Sequence, residues 1–109
     1  YPHGLGHSLG LQVHDVGCAV IKPKTENPFL RNTSKIAEGQ VFTIEPGLYF
    51  VDSLLAELRA KPEGKLVDWN LVESLAPLGG IRIEDDVLVT PSGTRNFSRE
   101  VLPIGGAAL

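Results

Sequence analysis

The chain has 109 residues, of which 42% are hydrophobic, and its formal net charge is -3 at pH 7. This length and composition allow one small domain with an apolar core and leave no room for a second complete domain. The scattered lysines and arginines form no phosphate-neutralising stripe, and the apolar runs are far shorter than the roughly 20 residues that span a bilayer, so we expect neither nucleic acid nor a membrane as a partner.

Cysteine and methionine usage gives two further expectations. The single cysteine, Cys18, cannot form an intrachain disulfide, which suits the reducing cytoplasm, and we expect it to be a small packing residue. The chain has no methionine and opens on Tyr1-Pro2 directly before a histidine-rich segment. We therefore expect the chain to be a fragment of a longer cytoplasmic protein.

The first 32 residues are predicted to be loop. Residues 1–17 contain four glycines between histidines and apolar residues, and glycine disfavours a regular helix. The stretch Ile21 to Asn32 is polar and interrupted by prolines, which is typical of a surface connection. We expect no regular element before the first strand.

The first strand is predicted from Val41 to Glu45, where β-branched and aromatic residues dominate, and Pro46-Gly47 ends it. Side chains alternate across a strand, so Thr43 and Glu45 share one face and their neighbours share the other. We expect Phe42 and Ile44 to pack into the core and Glu45 to enter a polar cleft. An extended run continues over residues 48–51.

Two short helices are predicted next, each preceded by a side chain that can cap it and followed by proline. The first covers residues 54–60, and its candidate caps and stop are Asp52, Ser53 and Pro62. The second covers residues 72–75, and its candidate caps and stop are Asp68, Asn70 and Pro77.

The clearest strand is predicted from Ile81 to Val89, because apolar and polar residues alternate along it. One face carries Ile81, Ile83, Val87 and Val89, and the other carries Arg82, Glu84 and Asp86. A turn over residues 90–94 leads to a short final strand, and we expect the tail at residues 105–108 to fray.

All three histidines of the chain, His3, His7 and His14, fall within twelve residues. A lone histidine is more often a satisfied core or surface group than a ligand, and an HxxxH pair outside a helix is a weak signal. Three in so short a loop indicate a site, although simple hydrogen bonding within the loop is the alternative for His3 and His14.

Two carboxylates complete this candidate site. A glutamate on a polar strand face is usually solvated. Glu45 is followed by a strand-ending Pro-Gly, however, and Glu84 shares its face with Arg82, so both carboxylates can be directed into one cleft. Oxygen ligands with one imidazole suit manganese, cobalt, zinc or iron. We therefore expect a metal centre.

Two arginines have alternative interpretations. Arg31 is either a solvated surface charge or a bidentate clamp on a substrate carboxylate. Arg82 is expected to pair with neighbouring acidic residues and so to orient the metal ligands.

Four segments together, HGLGH, GLQVHDVG, TIEPGLYF and GGIRIEDDVLVT, resemble the carboxy-terminal half of the catalytic domain of the pita-bread metallopeptidases, specifically the bacterial prolidase (Xaa-Pro dipeptidase) branch. The resemblance implies an α+β fold, mainly an antiparallel curved sheet with short helices. It also implies that residues 1–109 are an incomplete part of a single catalytic domain.

The resemblance implies two divalent metal ions, most often manganese, with cobalt or zinc as alternatives, bound by two aspartates, one histidine and two glutamates. His7 matches the histidine ligand, Glu45 the first glutamate, which also shuttles a proton, and Glu84 the second, bridging glutamate. His3 and His14 match histidines that act on the substrate. The two aspartates belong to an earlier part of that fold.

For substrate recognition, the resemblance implies that Arg31 reads the free carboxylate of the substrate, and that Arg82 and Tyr49 contact the substrate or support the site. The complete enzyme would then hydrolyse Xaa-Pro dipeptides. This segment alone, lacking the aspartates, would be inactive. We expect its partners to be the missing amino-terminal part and a second copy, in a homodimer or higher oligomer.

Two other functions remain open at this point. One is aminopeptidase P-like removal of a residue preceding proline from longer peptides. The other is a non-catalytic binding module on the same fold.

Overall fold

The computed structural model describes residues 2–19 and 21–102. The described residues divide into two compact units, one formed by those within 2–46 and 83–102, and the other by Gly47–Arg82. The expected fraying of residues 105–108 lies outside the described residues. In chain order the elements are β1 (Val41–Ile44), β2 (Gly47–Leu48), α1 (Asp52–Arg59), α2 (Trp69–Leu75), β3 (Ile81–Arg82), β4 (Asp85–Thr90), β5 (Gly93–Asn96) and α3 (Phe97–Val101).

The first unit is built on a three-stranded antiparallel sheet in the order β1-β4-β5. Val41 lies opposite Leu88, and the ladder between β1 and β4 ends where Ile44 lies opposite Asp85. A tight turn after Thr90 folds the chain back into β5, as predicted, and Gly93 there has a φ of 145°. Antiparallel pairing with short helices confirms the predicted α+β class.

The glycine-rich loop runs along the second edge of β1. The backbone N–H of Thr43 donates to the His7 carbonyl (2.9 Å), and that of Glu45 donates to the Leu5 carbonyl (2.7 Å). Residues 2–17 contain no helix, as predicted. Strand β1 therefore has β4 on one side and a loop carrying a histidine on the other.

The burial of β1 differs from expectation. Thr43 is 1% exposed and Glu45 6%, whereas Ile44, predicted to pack in the core, is 36% exposed. The glycine-rich loop covers the polar side chains and supplies hydrogen-bond partners to them, which makes their burial tolerable. Cys18 is buried as predicted and forms part of the small apolar core with Val87.

The single strand predicted from Ile81 to Val89 is wrong. It is divided into β3 and β4, and Ile83 and Glu84 belong to neither strand. The Ile83 N–H donates to the Pro46 carbonyl at 3.2 Å. Because proline has no N–H to return, a regular antiparallel ladder cannot continue through this position.

In the Gly47–Arg82 unit, β2 and β3 pair antiparallel, and the extended run predicted over residues 48–51 is a strand only as far as Leu48. Helix α1 begins with Asp52 as its first residue. Val51 occupies the N-cap position without a capping side chain, so the predicted cap at Asp52 or Ser53 is wrong. The helix ends before Pro62, as predicted, and a 3₁₀ helix covers Pro62–Leu66.

Helix α2 begins at Trp69, three residues before the predicted start, and of the two candidate caps it uses Asp68, whose carboxylate accepts a hydrogen bond from the Leu71 N–H at 3.1 Å. A second 3₁₀ helix, Ala76–Leu78, follows and contains the predicted stop, Pro77. None of the helices in the described part of the chain has the length and apolar character needed to traverse a bilayer.

Candidate metal centre

Two carboxylates lie at the same end of the β1–β4 ladder. Glu45 directly follows β1 and Glu84 directly precedes β4, and the last paired residues are Ile44 and Asp85. The sequence predicted that both glutamates lie within strands. In the structure each lies one residue outside a strand. The antiparallel register brings them together even though they are far apart in the chain.

His7 completes the cluster. Its Nε2 lies 3.2 Å from Glu45 Oε1 and 3.8 Å from Glu84 Oε1. One candidate ligand atom from each of the three residues lies within 4.8 Å of the others. His7 and Glu45 are buried, whereas the Glu84 side chain is 43% exposed. The structure thus brings together the three side chains that the sequence predicted as metal ligands.

The donor set of this cluster fits a divalent cation. His7 Nδ1 lies 3.1 Å from the Ser8 carbonyl oxygen, which can accept a hydrogen bond from the tautomer protonated at Nδ1. In that tautomer Nε2, which lies near both carboxylates, would offer its lone pair to a metal ion. An imidazole fixed by a backbone carbonyl, together with carboxylate oxygens, is a common ligand set for transition-metal ions in proteins.

Thr43 connects two members of the cluster. Its Oγ1 accepts a hydrogen bond from the His7 N–H (3.0 Å) and donates one to Glu45 Oε1 (3.0 Å). Alternation along the strand predicts Thr43 on the Glu45 face, but no motif in the sequence indicates a role for it. Its position two residues before the glutamate was the available signal.

His14 and Arg31 line a cavity of about 470 Å³ together with His7. The rings of His7 and His14 meet edge to face, with centroids 4.0 Å apart. Asp15 also lines the cavity, and hydrogen bonds from the backbone N–H groups of Gln12 and Val16 lower the pKa of its carboxyl. The two residues predicted to act on substrate thus share a cavity with the histidine of the cluster.

His3 lies in a neighbouring part of the same unit. It lines a second cavity, of about 280 Å³, with Arg31, and its Nδ1 is 2.7 Å from the Gly4 carbonyl oxygen. Arg31 therefore lines both cavities, and each also contains one of the histidines predicted to contact substrate.

Tyr49 and Arg82 belong to the Gly47–Arg82 unit and contact each other. Arg82 Nε donates to the Tyr49 hydroxyl at 2.6 Å, and the guanidinium carbon lies 5.7 Å from the centre of the tyrosine ring. From the sequence, acidic partners were expected for Arg82, and this contact with an aromatic residue was not.

Helix α3 anchors the strand that begins next to Glu84. The Asp85 carboxylate accepts hydrogen bonds from Arg99 Nε (2.7 Å) and Asn96 Nδ2 (2.8 Å), and the Asp86 N–H donates to Ser98 Oγ (2.9 Å). The Arg99 guanidinium, and to a smaller extent the Asn96 amide, hold the pKa of the Asp85 carboxyl below its usual value against the opposing effect of burial.

Comparison with known proteins identifies a family and several similar proteins. The sequence profile described as metallopeptidase family M24 matches residues 1–91. A protein named Xaa-Pro dipeptidase from Pseudoalteromonas atlantica is 49% identical over 93% of this chain and 24% of its own length. One with the same name from Aeromonas hydrophila is 52% identical over 92% of this chain and 24% of its own length.

Among solved structures, a protein from Bacillus anthracis described as an aminopeptidase P is similar, with 34% identity and a TM-score of 0.50. The match covers 93% of this chain and 16% of that one. The chain thus spans about a quarter of the length of the curated relatives that it matches.

Proposed function

The chain belongs to metallopeptidase family M24 and has a pita-bread fold, and from this we propose that the whole protein hydrolyses Xaa-Pro dipeptides at a centre of divalent metal ions. His7, Glu45 and Glu84 are its ligands from this segment. The convergence of their ligand atoms within 4.8 Å carries the proposal. Relatives that share about half of the residues and are named Xaa-Pro dipeptidase support the substrate class.

Two bound divalent ions would polarise the substrate carbonyl and lower the pKa of the attacking water. Manganese is the ion that we propose first. The residues of this chain then have distinct tasks. Glu45 takes a proton from that water and passes it to the proline nitrogen as the bond breaks. His3 and His14 donate hydrogen bonds at the scissile-bond region, where negative charge develops on the carbonyl oxygen.

This segment contributes only part of the centre in our proposal. Among the described residues the cluster consists of His7, Glu45 and Glu84, without an aspartate. The resemblance requires two aspartates, which we assign to the rest of the protein, in the same catalytic domain. The 109-residue chain by itself would then lack hydrolytic activity, because metal affinity depends on the number of ligands and on their preformed geometry.

An apolar surface beside β1 supports the proposal that the rest of the catalytic domain packs against this segment. A cavity of about 420 Å³ is lined mainly by apolar side chains, including Leu30, Ile36 and Val87, and Ile36 is 72% exposed. Asn32, whose Oδ1 is buried without a hydrogen-bond partner among the described residues, also lines it. We propose that the remainder of the catalytic domain packs against this surface.

Location of the protein in the cytoplasm remains a prediction from the sequence.

Arg31 distinguishes a dipeptidase from an aminopeptidase P, the activity attributed to the similar protein from Bacillus anthracis. If Arg31 binds the free carboxylate of the proline, Arg31→Ala in the full-length protein removes a charge-assisted hydrogen bond. The expected loss is about 1.5–3 kcal/mol, or roughly 10- to 150-fold in kcat/KM. The loss should appear with Gly-Pro and not with amidated Gly-Pro.

Lys24→Ala, in the same exposed loop, is the matched control and should leave both substrates unaffected. Equal losses of kcat/KM on Gly-Pro and on its amide in Arg31→Ala would contradict the dipeptidase assignment and favour cleavage of longer peptides. If the full-length protein hydrolyses neither dipeptides nor longer peptides with manganese, cobalt or zinc, the non-catalytic binding module is the correct interpretation.

A further inference from the structure

Thr43 has a fully buried side chain, at 1% exposure, and its hydroxyl lies between two members of the metal cluster. Its Oγ1 is 3.0 Å from the His7 backbone nitrogen and 3.0 Å from Glu45 Oε1. His7 is 36 residues away in the sequence, and Glu45 only two. One hydroxyl group therefore links the ligand on the loop to the ligand that follows the strand.

The direction of these two hydrogen bonds is fixed by chemistry. A backbone N–H can only donate, so the Thr43 oxygen accepts from His7. An ionised carboxylate can only accept, so the single hydroxyl hydrogen points at Glu45 Oε1. This bond restricts rotation of the Glu45 carboxylate, whose Oε1 lies 3.2 Å from His7 Nε2.

The surroundings of Thr43 leave the hydroxyl little freedom. Its backbone N–H donates to the His7 carbonyl at 2.9 Å, which closes the loop against the strand. At Gly6 a Cβ atom would lie 3.1 Å from Thr43 Oγ1 and 1.8 Å from its carbonyl oxygen, so the loop backbone fills this side. A β-branched side chain in a strand is also stiff at χ1.

Thr43 is separate from the predicted substrate cavity. The cavity of about 470 Å³ that contains His7, His14 and Arg31 does not include Thr43 among its lining residues. An effect of Thr43 on the reaction must therefore pass through His7 or Glu45 rather than through contact with the dipeptide.

We propose that Thr43 is a positioning residue of the metal centre: its hydroxyl sets the relative placement of the His7 and Glu45 ligand atoms. This inference rests on the proposed function, because it assumes that these two side chains bind the ion. Partners that orient metal ligands commonly contribute about 10- to 100-fold to metal affinity or activity.

The test compares Thr43→Val, which keeps the shape and removes the hydroxyl, with Thr43→Ser, which keeps the hydroxyl. Both are made in the full-length protein, with Thr90→Val as the control, since the Thr90 hydroxyl donates to a carbonyl in the β4–β5 turn, at Gly93. Measurements are the Co²⁺ dissociation constant by calorimetry, the visible absorption spectrum at saturating Co²⁺, and kcat and KM for Gly-Pro.

For Thr43→Val we expect Co²⁺ affinity to fall by about 10- to 100-fold. We also expect an altered absorption spectrum of the bound ion, and a lower kcat with little change in KM. Thr43→Ser should restore affinity and spectrum to within a few-fold of the wild type, and Thr90→Val should match the wild type. The spectrum reports only on protein that has bound the ion, so partial unfolding of Thr43→Val does not imitate this result.

A Thr43→Val protein with wild-type Co²⁺ affinity and spectrum would overturn the inference, and so would a Thr43→Ser protein as impaired as Thr43→Val despite native near-ultraviolet circular dichroism. Failure of the proposed function looks different. In that case the wild type binds no Co²⁺, or His7→Ala binds it as tightly as the wild type does.

Discussion

Gly6 illustrates how a single residue controls the position of the histidine ligand. The loop approaches β1 so closely there that a Cβ atom would lie 1.8 Å from the Thr43 carbonyl oxygen and 2.7 Å from its carbonyl carbon. Both neighbours are backbone atoms, which cannot move aside as a flexible side chain would. Glycine is therefore required at this point for close approach of two backbone segments.

Gly6→Ala is expected to lower the free energy of unfolding by roughly 2–3 kcal/mol, because the loop must separate from β1 to accommodate the methyl group. Urea denaturation of the full-length protein measures this change. Gly17→Ala is the control in the same loop, since its Cβ would lie 3.8 Å from Ser8, an ordinary contact. Equal stability of the two variants would contradict the close approach at Gly6.

The two longer helices of the Gly47–Arg82 unit begin in different ways. Both have an aspartate at the amino-terminal end, but only Asp68 accepts a hydrogen bond from the helix backbone. Asp52 is already the first helical residue, so its carboxylate can interact favourably with the helix dipole without capping. Sequence patterns identify capping residues by type, whereas the cap itself depends on the backbone angles of one residue.

This difference predicts unequal effects of alanine substitution. Asp68→Ala should lower the free energy of unfolding by about 1 kcal/mol, because the Leu71 N–H loses its acceptor. Asp52→Ala should cost only about 0.3 kcal/mol at moderate ionic strength. Urea midpoints of the two variants provide the comparison, and a larger loss for Asp52→Ala would show that the caps are assigned the wrong way round.

At the scale of the whole molecule, metal binding and folding should be coupled. An ion that binds only the native state at 100 times its dissociation constant adds about 2.7 kcal/mol to stability. We expect Mn²⁺ to raise the unfolding midpoint of the full-length protein, and a chelator to reverse the effect. Glu84→Gln should reduce the increase, because it removes a charged candidate ligand from the cluster.

Glu26→Gln, in an exposed part of the loop before Arg31, is the matched control and should retain the full response to Mn²⁺. Thermal unfolding followed by circular dichroism, with and without the ion, measures both variants. An unchanged response in Glu84→Gln would remove Glu84 from the set of ligands.

Local patterns in the sequence predicted much of the fold and selected the residues of the candidate site. β-Branched and aromatic residues predicted β1, and alternation of side chains predicted a longer strand that contains most of β4. Glycine content predicted the loop, and Asp68 was one of the two candidate caps of α2. The choice of His7, Glu45 and Glu84 rested on residue chemistry and on a resemblance of motifs, and the structure brings their ligand atoms together. Their roles as ligands remain predictions.

Only the tertiary structure decided the features that depend on contacts between distant residues. Burial of Thr43 and Glu45, rather than of Ile44, follows from the loop that covers that side of β1. The break between β3 and β4 follows from the pairing of Ile83 with the Pro46 carbonyl. The sequence by itself determined which side chains can bind a metal ion, because their chemistry is local, whereas their spacing and support depend on the packing of loop against strand.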